Sequence, residues 1–100
     1  MATISTHASR RTKERTILTD DQIVELIKTT SVVIQRELGS NGNKEYKLFY
    51  SYPDHGYFIA VMNADADQII TVMYDRYDRV LNNPITDEQK AQAVADNKSP

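Results

Sequence analysis

The fold is decided by residues 44–74, which read KEYKLFYSYPDHGYFIAVMNADADQIITVMY. Side chains alternate between two faces along the first nine residues, as in a β-strand. Residues 57–62 and 68–74 are apolar on both faces, which is typical of central strands covered by helices on at least one side. Turn-forming residues at 53–56 and 64–67 separate these segments. The stretch therefore predicts three strands joined by short connections in an antiparallel meander.

A fourth strand and a polar helix flank this meander. Ser31–Gln35 is rich in β-branched residues and is followed by the strongest turn signal in the chain, at residues 39–43. After the meander, Thr86–Gln89 has the form of a capping box and predicts a helix of about ten residues. We therefore expect a single domain over residues 1–100, with a globular core at 4–82 and a polar C-terminal helix and tail at 83–100.

Two helices are predicted ahead of the sheet. Residues 4–15 are interpreted as a short helix with Ser5 or Thr6 as its N-cap. Thr19–Gln22 forms another capping box, and an apolar stripe at i, i+3 and i+4 follows it at residues 23–27. The prediction is an α+β domain in which two N-terminal helices pack on a four-stranded antiparallel sheet and a short C-terminal helix follows.

Composition excludes several classes of protein. Twelve basic and fourteen acidic residues give a net charge of −2, whereas a general nucleic-acid coat carries a basic surplus. The absence of cysteine excludes a disulfide framework, a zinc ribbon and a thiol nucleophile. No apolar run approaches the ~18 residues of a membrane span, and no apolar signal core follows Met1. We therefore expect a cytoplasmic protein without membrane contact.

The net charge averages two unlike halves of the chain. Residues 1–50 hold eight basic and six acidic residues, a net +2, and residues 51–100 hold four and eight, a net −4. Four cations lie within six residues, at Arg10, Arg11, Lys13 and Arg15. Such a cluster serves a phosphate or an acidic partner, or is simply the solvated face of a helix or a loose basic N-terminus.

The sharpest pattern in the sequence is the set His7, Arg11 and Arg15, spaced i, i+4 and i+8. On a helix these side chains rise along one side. A neutral imidazole takes a proton from a ribose hydroxyl, and guanidiniums bind a phosphate and its developing charge, so the set suits phosphodiester cleavage. An ordinary surface helix with a lone histidine is the alternative interpretation.

Residues 4–15, ISTHASRRTKER, resemble the His-Ala-x-x-Arg-x-x-x-Arg opening helix of small toxin-like domains in the RelE/colicin D/barnase-like ribonuclease superfamily. The resemblance extends in order of elements over roughly residues 4–74. It implies His7, Arg11 and Arg15 as site residues, with Thr71 facing them from the last strand. The chain departs from the pattern at Thr16, where glycine is usual, and at Thr12, where an apolar residue is expected.

Other motifs for chemistry are weak. His55 lies in the turn at 53–56, either as an ordinary polar turn residue or as a general acid opposite His7. No histidine pair has metal-ligand spacing. The Asn63-x-Asp65-x-Asp67 sequence fails as a calcium loop because glycine and glutamate are missing from its later positions. The sequence contains no phosphate-binding or dinucleotide-binding loop, so no metal or cofactor is expected.

Tyrosines and carboxylates supply a candidate protein interface. Tyr46, Tyr50 and Tyr52 share one face of a predicted strand, where they stack on bases, build a protein interface or lie half-buried with their hydroxyls at the rim. Asp75 and Asp78 belong to an acidic region that suits a basic protein surface.

The sequence leaves two candidate functions. The first is a small non-catalytic factor on a RelE-like scaffold that binds, inhibits or modulates another protein. A compact chain of this kind suits a phage-encoded or toxin–antitoxin-related factor. The alternative is a metal-independent ribonuclease of RelE-like type that contacts RNA through the basic N-terminal helix. The balance of charges favours a protein partner.

Overall fold

The structure, a computed structural model, describes residues 2–39, 42–76, 79 and 81–97. These residues contain three α-helices and five β-strands. In chain order the elements are β1 (Thr3–Ile4), α1 (Thr6–Arg15), α2 (Asp20–Thr29), β2 (Val33–Glu37), β3 (Lys44–Ser51), β4 (Gly56–Asn63), β5 (Gln68–Tyr74) and α3 (Asp87–Asp96). The α+β class predicted from the sequence is confirmed.

The five strands form one mixed sheet in the order β1-β5-β4-β3-β2. β2 to β5 are antiparallel, whereas β1 runs parallel to β5. The prediction of four antiparallel strands is therefore wrong in this detail, as is the helical assignment of Ile4. Ser5 is the N-cap of α1 and has extended backbone angles, φ −73° and ψ 162°. Because an N-cap residue is not helical, the chain ahead of it is free to pair with the sheet edge.

Both predicted capping boxes are confirmed. The side chain of Thr19 accepts a hydrogen bond from the backbone amide of Gln22, and the side chain of Gln22 accepts one from the amide of Thr19. Thr86 and Gln89 exchange the same pair of bonds. Each box satisfies amides that have no partner within the helix, which explains why α2 and α3 begin where they do.

The sheet lies between two hydrophobic clusters. α1 and α2 cover one face, and α3 and residues 81–85 cover the other. The buried residues of the first cluster are Ala8, Leu18, Ile23, Ile27, Phe49, Phe58, Ala60, Met62, Ile69 and Val72. Those of the second are Val32, Leu48, Ile59, Val61 and Ala93. β4 contributes to both clusters, which confirms that its apolar residues on both faces mark a covered, central strand.

Candidate functional site

The three residues singled out on α1 have different surroundings. His7 is exposed in the first turn of the helix. Arg11 is half-buried and forms an ion pair with Glu14, with 2.9 Å between Nη1 and Oε2. The Nη1 of Arg15 donates a hydrogen bond of 2.7 Å to the carbonyl oxygen of Val72. The helix therefore carries all three side chains, but the two guanidiniums engage separate partners.

Arg15 stabilises an edge of the sheet. β1 pairs with β5 only at Gln68 and Ile69, so the carbonyls further along that edge need other donors. The N-cap and the last residue of α1 supply them. Ser5 Oγ donates to the carbonyl of Ile70 at 3.4 Å, and Arg15 donates to that of Val72. Covering an exposed strand edge with a helix is a common protection against unwanted strand pairing.

A bulge moves Thr71 away from α1. The β4–β5 register shifts, so that Met62 lies opposite Ile69 and Val61 lies opposite Thr71, with Ile70 as the extra residue. Opposite residues of antiparallel strands share a face, and Val61 belongs to the cluster under α3. Thr71 therefore lies on the face opposite α1, contrary to the arrangement that the family resemblance implies. Without the bulge, strict alternation of side chains along β5 would place Thr71 on the same face as Ile69.

His55 and His7 lie near opposite ends of α1. It is exposed in the turn at residues 52–55 between β3 and β4, with a left-handed φ of 52°. The neighbouring Asp54 accepts hydrogen bonds from the hydroxyl of Ser51 at 2.6 Å and from the amide of Ile17 at 3.1 Å. This turn therefore contacts the chain just after the C-terminal end of α1. His7 is at the opposite end of the helix, about 12 Å along its axis from Arg15.

The tyrosines of the predicted interface pack partly against other residues of the same domain. Tyr46 packs against the cluster under α3, and its pKa is raised to about 12 by burial and by hydrogen bonding and charge from Glu37. The ring of Tyr50 lies 5.0 Å from those of Tyr52 and Tyr57, in edge-on contacts. All four rings are half-buried. They stabilise the fold, and Tyr52 alone of the three predicted tyrosines also lines the groove described below.

The acidic candidates lie after β5. Asp75 is half-buried, in the turn that follows the strand. Asp78 lies outside the described residues.

A groove of about 450 Å³ runs between α2 and the turn at residues 52–55. We call it the α2 groove. Most of its surface is apolar. It is lined by Leu18, Asp21, Gln22, Glu25, Leu26, Thr29, Tyr52, Pro53 and Asn97. Ile17, which precedes the groove residue Leu18 in the chain, is 71% exposed.

The rim of the α2 groove is acidic on the side of α2. Asp21 and Glu25 are exposed and four residues apart, so their carboxylates lie one helical turn from each other along the groove. An adjoining depression is also lined by Leu18 and Asp21, together with Asp20. The carboxylate of Asp20 accepts a hydrogen bond of 2.6 Å from the hydroxyl of Ser9. Lys28 offsets part of this charge by pairing with Glu25 at 2.9 Å.

Sequence reasoning missed the α2 groove because each of its parts had an ordinary structural explanation. Leu26 belongs to the apolar stripe predicted for α2 and packs against the core, but it is half-buried and also lines the groove. Asp21 lies in the first turn of α2, where the helix dipole favours a carboxylate. The available signal was Ile17, an aliphatic residue ahead of the helix that does not belong to its apolar stripe and is exposed.

No group of three His, Asp or Glu side chains within the described residues is placed to hold a metal ion. None of the helices in the described part of the chain is long and apolar enough to cross a membrane. Comparison with protein-family models, with curated proteins and with solved structures finds no match to this chain. The resemblance to RelE-like ribonucleases therefore stays a prediction from the sequence.

Proposed function

We propose that this chain is a small non-catalytic domain that binds another protein through the α2 groove. The observation that carries the proposal is an open, mostly apolar groove where α2, the turn at residues 52–55 and the end of α3 meet. Apolar grooves of this kind bind the apolar face of amphipathic segments in partner proteins. Tyr52 adds an aromatic side chain of the kind that anchors protein interfaces.

The ribonuclease hypothesis has less support in the geometry. Its phosphate ligand Arg15 is bonded to the Val72 carbonyl, and Thr71 lies on the far face of the sheet. His55 is at the other end of α1 from His7, so the two imidazoles do not form an acid–base pair. Of the remaining two, His7 is exposed, and Arg11 is half-buried and paired with Glu14.

Site-specific photo-crosslinking tests the proposal. A benzoylphenylalanine at position 52 is irradiated in extract of the source cells, and the same residue at position 88 serves as the control. Glu88 is exposed in the first turn of α3 and does not line the α2 groove. We expect one dominant adduct at position 52 that is missing at position 88.

A groove variant completes the test. Leu26→Asp places a charge on the apolar wall, and it is expected to abolish the adduct at position 52 while circular dichroism confirms the native fold. Equal adducts at positions 52 and 88, or an adduct that survives Leu26→Asp in the folded variant, would overturn the proposal.

A further inference from the structure

We propose that the α2 groove is selective for a cationic amphipathic segment, in which apolar anchors are flanked by lysine or arginine. This inference rests on the proposed function and specifies the chemistry of the partner. The groove supplies two kinds of surface side by side: an apolar wall at Leu18, Leu26 and Pro53, and carboxylates at Asp21 and Glu25. A segment that fills such a groove must present apolar side chains inward and charged side chains along its border.

The sign of the charge follows from α2. Within Asp20–Thr29 there are three carboxylates, at positions 20, 21 and 25, and one cation, Lys28, which leaves a net −2. Two of those carboxylates line the groove, whereas Lys28 does not. Lys13 of α1 lies in the adjoining depression with Asp20 and Asp21 and offsets part of the charge there, but it does not line the groove. Glu25 has 71% of its side chain exposed despite its ion pair, so a second cation has access to it. Complementary charge at a rim favours the encounter with the right partner and disfavours anionic ones, nucleic acid included.

A second copy of this chain is a poorer occupant, although it has cations on α1. The apolar and small side chains of that helix, Ala8 and Thr12, are completely buried against the rest of the domain. The exposed face of α1 therefore offers cations such as Arg10 and Lys13 but no apolar anchor for the groove. The α1 helix of a second copy therefore fits the groove less well than an amphipathic segment of a different protein, which is the occupant we propose.

Two synthetic helical peptides test the inference directly. Both carry leucine at i, i+3, i+4 and i+7; one has lysine at the remaining positions and the other has glutamate. Each is titrated into the ¹⁵N-labelled full chain at low salt, and amide shifts are recorded. We expect the lysine peptide to perturb the amides around Leu26 and Tyr52, and to bind roughly tenfold more tightly than the glutamate peptide.

Paired variants locate the charge effect. Asp21→Asn with Glu25→Gln is expected to weaken the lysine peptide roughly threefold to tenfold, the effect of losing two exposed ion pairs. Asp87→Asn with Glu88→Gln makes the same charge change on the first turn of α3, outside the groove, and is expected to leave affinity unchanged. Raising the salt concentration should remove the difference between the two variants.

Several outcomes would overturn the inference. Equal affinity for the two peptides, or equal losses in the two double variants, would show that charge at the rim is not selective. Concentration-dependent shifts at the groove without peptide would assign it to a second copy. If a partner captured at position 52 inserts an acidic or uncharged segment, the proposed function stands and the cationic preference falls. Absence of both the adduct and peptide binding at the groove rejects both proposals.

Discussion

Arg15 matches a functional motif in the sequence, but in the structure its contacts stabilise the fold. Its position eight residues after His7 suits a phosphate ligand, but its guanidinium caps the Val72 carbonyl at the edge of β5. It also lies 5.9 Å from the centre of the Tyr74 ring, within the range of a cation–π contact. The periodicity of α1 was predictable from the sequence, whereas the unpaired edge of β5 that Arg15 covers was not.

Arg15→Ala is expected to lower the free energy of unfolding by about 1–2 kcal/mol, since a partly buried carbonyl loses a charged donor. The measurement is chemical denaturation. Arg10→Ala, an exposed change on the same helix, is the control and should alter stability by no more than about 0.5 kcal/mol. Equal effects of the two changes would argue against the structural role of Arg15.

Thr12→Val is expected to stabilise the protein by about 1 kcal/mol. Thr12 is completely buried, and its hydroxyl has no hydrogen-bond partner among the described residues. Valine has nearly the same shape and removes the unpaired polar group. Thr16→Val is the matched control, because the Thr16 hydroxyl accepts a hydrogen bond of 2.8 Å from the amide of Leu18, and its loss should destabilise. If both substitutions shifted the midpoint of thermal unfolding in the same direction, this assignment would be contradicted.

Tyr46 is expected to ionise about two pH units above its ordinary value of 10.0. Because the unfolded chain loses this proton near pH 10 and the folded chain near 12, stability should fall as pH rises between those values. Carbon NMR of the labelled ring measures the pKa. Glu37→Gln should bring it back toward 10.0, since the charge of Glu37 is one of its causes. A pKa of Tyr46 near 10.0 in the unmodified protein would contradict the contact between Tyr46 and Glu37.

At the scale of elements, the link between α3 and the chain ahead of β2 explains how a polar helix stays on the sheet. Asp96 accepts hydrogen bonds from the amide and hydroxyl of Ser31, at 2.8 and 2.7 Å, and another from Gln92 at 2.7 Å. The side chain of Asn97 donates to the carbonyl of Tyr50. α3 buries little apolar surface beyond Ala93, so these end contacts compensate for its composition.

Acid is therefore expected to loosen α3 first. Partial burial raises the pKa of Asp96, but the hydrogen bonds from Ser31 and Gln92 outweigh it, and the pKa lies below 3.8. A depressed pKa contributes stability that is present above 3.8 and is lost as pH falls through the folded value. Amide exchange in α3 should accelerate over that range. Ser31→Ala should raise the pKa of Asp96, and an unchanged pKa in that variant would contradict the account.

Elements with strong local signals were predictable, and elements made by tertiary contact were not. The capping boxes at Thr19 and Thr86 and the meander of residues 44–74 confirm what local sequence indicates. β1 has only two residues and exists because β5 offers an edge. The bulge at Ile70 also comes from packing, since it lets Ile69 and Val72 reach the same cluster although they are three residues apart.

At the scale of the whole molecule, the division of the chain into a basic and an acidic half does not describe how charge is distributed over the folded surface. The acidic rim of the proposed site lies on α2, inside the net-positive first half, because the fold sets Asp21 and Glu25 beside Tyr52 from the second half. Charge along the sequence did not predict charge across the surface. The candidate site depends on three segments that meet only in the folded chain, so sequence alone supplied its residues without their arrangement.

The purified chain is expected to leave total RNA intact in the presence of EDTA. His7 is exposed, and Arg11 is half-buried and paired with Glu14, but Arg15 and Thr71 do not converge on them. Stabilising a transition state needs converging groups. The measurement is gel analysis of RNA incubated with the chain and with His7→Ala. Cleavage that disappears in the variant would establish the ribonuclease and reject a purely binding role.

Amide hydrogen exchange of the chain in complex with the partner captured at position 52 tests the central claim most directly. Protection in α2 and in the turn at residues 52–55, with α1 unchanged, is the result that the α2 groove predicts. Protection confined to the exposed face of α1 around His7 and Arg11, with α2 exchanging as in the free chain, would contradict it.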